Sequence, residues 1–144
     1  MYANCEKCNN VIEELCTDVA FGILTRNGLE YKIKEMKDKS GLFLIWLDFC
    51  NVSKMNTLVG YEEVNNRFRT LFKHFEKTDD LIGRCFSGDE IIIITKNTDC
   101  LIGMKQKANV LGLDFRYSIV NFTGNIKDDL EGIYEDLFKP NPAG

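Results

Sequence analysis

The sequence predicts an α/β protein of the α+β type, a mostly antiparallel sheet covered by helices. Three observations predict it. The run Leu42-Phe43-Leu44-Ile45-Trp46-Leu47 ends in Asp48, and its unbroken apolar character fits a central strand covered on both faces. Two apolar stretches, 81–86 and 91–95, flank the polar tetrad Ser87-Gly88-Asp89-Glu90, the pattern of a hairpin with a glycine-containing turn. Between these strands, Val64, Phe68, Leu71, Phe72 and Phe75 recur at helical spacing.

The elements follow in order. Residues 6–17 read as a helix, with Val11, Ile12, Leu15 and Cys16 at helical spacing. A loop is expected around Phe21-Gly22-Ile23-Leu24. Leu29, Ile33 and Met36 then mark a helix over 26–36, and the polar turn 37–41 leads into the strand 42–49. Residues 51–58 read as a connector, and 61–75 as an amphipathic helix. The turn 77–80 precedes the hairpin. Leu101, Met104, Ala108 and Leu111 predict a helix over 100–111. In 114–120, Phe115, Tyr117 and Ile119 alternate against Arg116 and Ser118, which predicts a strand. A closing helix over 128–138 stops before Lys139-Pro140-Asn141-Pro142. Helix, helix, strand, helix, hairpin, helix, strand, helix is an order of the ferredoxin-like or palm kind.

Length and charge narrow the function. The 144 residues read as one domain, 1–144, with 1–17 as an N-terminal helix or extension. A net charge of −4 gives no broad basic surface for duplex nucleic acid. No stretch has the length of a membrane span, and the first residues lack the apolar core of a signal peptide, so cytoplasmic residence is expected. Of the six cysteines, Cys5 and Cys8 form one CxxC. A single pair is weak evidence for zinc, and reduced thiols are the expectation. His74 and Trp46 are expected at the surface and in the core, respectively. There is no room for a sensory or receiver domain, so regulation is expected from expression, partners or a longer protein.

Function is expected where the carboxylates gather. An acidic hairpin tip is often no more than a solvated turn. Here, if the 42–49 strand neighbours the hairpin, Asp48 and Asp89 meet at one edge of the sheet. Paired carboxylates beside a loop can hold Mg²⁺ for phosphate chemistry.

With these motifs in place, the chain resembles the GGDEF domain of diguanylate cyclases over nearly its whole length. Ser87-Gly88-Asp89-Glu90-Ile91 stands where the family carries GG(D/E)EF. Asp18-Val19-Ala20-Phe21-Gly22-Ile23-Leu24-Thr25-Arg26-Asn27-Gly28-Leu29 echoes its opening D-x-L-T-G-L-x-N-R-x-x-F. Asp48 through Asn56 to Gly60-Tyr61 echoes D-x-D-x-F-K-x-x-N-D-x-x-G-H. The resemblance implies a palm-like GGDEF fold. It also implies a metal-dependent nucleotidyltransferase that joins two purine triphosphates into a cyclic dinucleotide and releases pyrophosphate. Asp48, Asp89 and Glu90 would be catalytic and, with the Phe49 carbonyl, would hold Mg²⁺ or Mn²⁺. Ser87, Gly88, Lys54 and Lys139 would face the phosphates, and Asn56 would read the purine edge. The substrates would be GTP, ATP or both, and catalysis would need a homodimer.

The departures are specific. Cys50 replaces the second acid of D-x-D, and Ser53 replaces a lysine. Cys85 stands for an arginine, with Arg84 beside it as a candidate phosphate contact, and Leu137 stands for another lysine. Thr78 and Leu81 occupy the positions of the RxxD product-inhibition motif, so feedback there is not expected. Asn65 replaces an aspartate that reads guanine. An amide offers one acceptor and a donor, which suits adenine N1 better than two guanine protons. Two alternatives stay open: a degenerate nucleotide-binding regulator, and a palm cyclase like the CRISPR-associated polymerases, with Ser87-Gly88-Asp89-Glu90 standing for a GGDD turn.

Overall fold

The computed structural model describes residues 17–18, 20–84 and 90–138. The expected helix over 6–17 lies outside them, except for Thr17, which sits in a strand. The strands are β1 (Thr17–Asp18), β2 (Ile23–Leu24), β3 (Phe43–Cys50), β4 (Leu81–Arg84), β5 (Glu90–Thr95) and β6 (Asp114–Asn121). The helices are α1 (Arg26–Glu35), α2 (Val52–Val59), α3 (Tyr61–Phe72), α4 (Cys100–Val110) and α5 (Ile126–Phe138). One six-stranded sheet runs in the order β1-β2-β4-β5-β3-β6. All pairings are antiparallel but β2–β4. The expected sheet of mostly antiparallel strands is what forms.

β3 is an interior strand, paired with β5 and β6 and second from the sheet's edge rather than at its centre, and both of its faces are apolar. Ile45, Leu47 and Phe49 point to one core, with Ile91 and Ile93 of β5, Val64, Phe68 and Phe72 of α3, and Leu101 and Met104 of α4. Leu44 and Trp46 point to the other, with Ile92 and Ile94 of β5, Leu29 and Ile33 of α1, and Leu130 and Ile133 of α5. Strand side chains alternate between faces, so a strand buried on both sides must be apolar at consecutive positions.

Local chemistry fixes the connections. The β1–β2 turn closes when Asp18 accepts hydrogen bonds from the Phe21 N–H through Oδ1 and from the Gly22 N–H through its carbonyl, at 3.1 and 2.8 Å. Thr25 caps α1 by accepting from the Gly28 N–H at 3.0 Å. In the first turn of α5, the buried Asp129 carboxylate accepts from the backbone and hydroxyl of Thr123, which precedes the helix. That helix starts at Ile126, two residues earlier than expected.

Three expectations are corrected. Residues 51–58 are no connector, because α2 occupies 52–59. Asn51 turns the chain in the left-handed region with φ 63° and makes no side-chain cap, and Val52 is the one buried residue of α2. An exposed helix carries no apolar periodicity to read. The 23–24 stretch is strand β2, whose parallel partner β4 lies far away in sequence. The helix expected over 61–75 is α3 to Phe72, then a 3₁₀ turn over Lys73–Lys77.

Candidate active site

The candidate site is built at one end of β3 and β5. Register places Asp48 directly opposite Glu90, two residues beyond Trp46 and Ile92 on the same face. Directly opposed residues lie close enough for their side chains to act together. On the other side of β3, Asp48 faces Arg116 of β6. Asp48, Glu90 and Arg116 thus form a row across three strands, where the apolar α1/α5 face gives way to charge.

Each member is held. Arg116 places both Nε and Nη2 at 2.8 Å from Oδ2 of Asp48. The Glu90 carboxylate accepts a hydrogen bond from the Tyr134 hydroxyl of α5 at 2.9 Å. Tyr134 packs edge-on against Trp46, with centroids 6.4 Å apart. Trp46 is 2% exposed, as expected of a core residue, and its buried indole N–H has no partner among the described residues. The site therefore has an aromatic floor, and α5 orients one of its two carboxylates.

Phe49 follows Asp48 and points to the opposite core. There its ring meets Phe68, Phe72 and Phe115 at 4.9, 6.0 and 5.2 Å. Burying that ring fixes the backbone of the strand end on which Asp48 stands. Cys50, in place of a second acid, is half-buried with its thiol 3.9 Å from the Asp48 carbonyl.

The remaining predicted residues divide. Asn56 lies on α2, immediately after the strand, and its buried Oδ1 has no hydrogen-bond partner among the described residues. Asn65 lies half-exposed on α3, and Lys54 is exposed on α2. The two helices join at Gly60, whose φ of 89° turns the chain between them. Arg67 of α3 then ties them to the site end of the sheet, donating to the Leu111 carbonyl at 3.2 Å and meeting Met55 of α2 at 3.9 Å. Ser87, Gly88, Asp89 and Lys139 lie outside the described residues. The structure thus joins Asp48, Phe49 and Glu90, with Asn56 and Lys54 on the helix that leaves the same strand.

Two basic residues take other parts than sequence suggests. Arg84, a candidate phosphate contact, forms an ion pair with Asp18 at 2.7 Å and lies 4.0 Å over the Phe21 ring. Asp18 and Phe21, from the opening motif, hold the β4 end in place. Arg116, to which no sequence motif assigns a role, is the contact of Asp48. The signal was an arginine in a strand, but only the β3–β6 register reveals its partner. Near the same end, Lys105 beside Asp114 holds that exposed carboxyl below its ordinary range, helped by the Phe115 N–H.

The donor set can be weighed against a divalent cation. Asp48 and Glu90 offer carboxylate oxygens from adjacent strands, the hard donors Mg²⁺ and Mn²⁺ take. One oxygen of Asp48 is engaged by Arg116 and one of Glu90 by Tyr134, which leaves acceptor capacity on each carboxylate. The described residues contain no cluster of three or more metal-binding side chains, so Asp89 would have to complete the set. The chemistry fits a hard cation. A cavity of about 690 Å³, lined by Asp38, Asp79, Asp80 and Asp99, lies at the other end of β5 and shares no residue with this site.

No family model matches the chain, and no curated protein sequence does. Solved structures do. A microbial GGDEF domain described in its interaction with cyclic di-GMP matches with a TM-score of 0.62 at 20% identity, over 82% of this chain and 86% of that one. A diguanylate cyclase/phosphodiesterase from Caldicellulosiruptor saccharolyticus matches with a TM-score of 0.61 at 21% identity, over 84% and 86%. The coiled coil and GGDEF domain of DgcB from Caulobacter crescentus, in complex with c-di-GMP, matches with a TM-score of 0.69 at 12% identity, over 92% and 85%. A helix-covered, mostly antiparallel sheet is the class of fold that these structures share with this chain. Within it, the fold of this chain is that of a GGDEF domain. No described helix is long and apolar enough to cross a membrane.

Proposed function

We propose that this chain is a nucleotidyl cyclase that condenses two purine triphosphates, GTP, ATP or both, into a cyclic dinucleotide with release of pyrophosphate. The observation that carries the reading is the direct opposition of Asp48 and Glu90 at the strand ends of a GGDEF fold. Asp48, Asp89, Glu90 and the Phe49 carbonyl would hold Mg²⁺ or Mn²⁺. Such an ion would offset the charge developing on the α-phosphate and lower the pKa of the attacking 3′-hydroxyl.

The chain's own groups supply orientation. Tyr134 fixes Glu90, and the buried Phe49 ring anchors the strand end under Asp48. Asn56 holds a buried acceptor without a partner among the described residues, on the helix leaving that strand, and a purine N–H would satisfy it, since an orphaned polar atom costs about 1–3 kcal/mol. Lys54 and Lys139 would supply positive charge to the phosphates, and Ser87 and Gly88 would let backbone approach them. Two such domains, each presenting one nucleotide, make a homodimer the working form.

A second reading, a nucleotide-binding regulator without turnover, is favoured by Cys50 standing where a second acid would be. One experiment separates the two. Purified protein is incubated with Mg²⁺ or Mn²⁺ and all four triphosphates, and products are identified by mass spectrometry, with Asp89→Ala alongside. The cyclase reading expects a cyclic dinucleotide that the variant does not make. Nucleotide binding with no product at any concentration rejects the cyclase and leaves the regulator.

A further inference from the structure

We infer that Arg116 is a built-in counter-ion that sets how readily the Asp48 edge takes a divalent cation. The inference rests on the metal-site reading above and adds a residue to which that reading gives no part.

The geometry is that of a cation already seated on the carboxylate. Two guanidinium nitrogens lie 2.8 Å from the same oxygen, Oδ2 of Asp48. Backbone pairing enforces the meeting, since Arg116 and Asp48 are direct partners across β3 and β6. The guanidinium carbon also lies 5.9 Å from the Trp46 ring centroid, so the aromatic floor of the site adds a weak attraction for it. Asp48 is 25% exposed and Arg116 is 66% exposed, so the arginine is the outer member of the pair.

A divalent cation approaching Asp48 therefore meets a fixed positive charge. It needs carboxylate lone pairs, and two N–H donors already engage Oδ2. Deprotonation offers no escape, because a guanidinium stays charged at any ordinary pH. The ion must displace the side chain, or share Asp48 with it against like-charge repulsion. Arg116 stands on the outermost described strand with its side chain 66% exposed, so the guanidinium has room to swing away. Asp48 is thus neutralised at rest and exchanges an internal cation for an external one, which raises the concentration at which metal binds.

The test is Mn²⁺ binding without nucleotide, read from the electron paramagnetic resonance signal of free Mn²⁺. The proteins are the unaltered chain, Arg116→Ala, Asp48→Asn and the double variant, with circular dichroism as the check on folding. The expected result is affinity about tenfold tighter in Arg116→Ala, a gain of the size that nearby charges produce at a solvated site. The gain should vanish in the double variant. Equal or weaker binding by Arg116→Ala, with Asp48→Asn still losing affinity, overturns the inference and leaves the metal site standing. Binding indifferent to Asp48→Asn in both backgrounds overturns the metal site, and the inference with it.

Discussion

Asp48 and Glu90 show what a residue can and cannot disclose on its own. Each is a carboxylate at the end of an apolar run, recognisable in the sequence as a candidate ligand. Their partners are less visible. Tyr134 reaches Glu90 from 44 positions away, and Arg116 reaches Asp48 from 68. Nothing local marks either pairing, because strand register and helix docking decide it. Asn65 is a case in which residue chemistry alone makes a prediction. If it faces the base, its amide presents one acceptor and one donor where a carboxylate presents two acceptors. Asn65→Asp should then shift preference toward GTP over ATP by about tenfold, the worth of roughly one hydrogen bond. Competitive binding of the two nucleotides to both forms measures it. An unchanged ratio places Asn65 away from the base.

At the scale of elements, legibility follows burial. Strand β3 is legible because its apolar run is unbroken, and helix α3 because Val64, Phe68, Leu71 and Phe72 recur at helical spacing, and both are buried. Helix α2 is not legible, because it buries only Val52 and has no capping side chain at its start. Strand β2 is two residues long and exists through its pairing with β4. The alternation in β6 does mark a strand, yet Tyr117 and Ile119 stay exposed on it because β6 is the outermost described strand of the sheet. The packing of α1 against β4 has a sharp test. A Cβ on Gly83 would stand 2.4 Å from the fully buried Leu29 side chain. Gly83→Ala should cost about 1–3 kcal/mol, the usual penalty of overpacking a core. Urea denaturation measures this, and a stability within 0.5 kcal/mol of the unaltered chain would show that Leu29 has room to move.

For the whole molecule, two cores clamp one sheet, and the charged row falls where the α1/α5 face runs out. The likeness in fold to GGDEF domains extends over most of the chain, although identities near 20% leave the chemistry to this chain's own residues. Its sequence carried the strand ends, the hairpin and the acids. The cross-strand arginine, the exposed helix that carries Asn56 and the tyrosine clamp came only with the assembled sheet. The proposed function requires that Asp48 and Glu90 make one cation-dependent nucleotide site. Isothermal titration of GTP and ATP into the unaltered chain and Asp48→Asn, each with and without Mn²⁺, tests it most directly. Nucleotide binding should strengthen at least tenfold with Mn²⁺ and lose that gain in Asp48→Asn, as expected when an oxygen ligand of the ion is removed. Binding of equal strength in both proteins, with or without the metal, would contradict it.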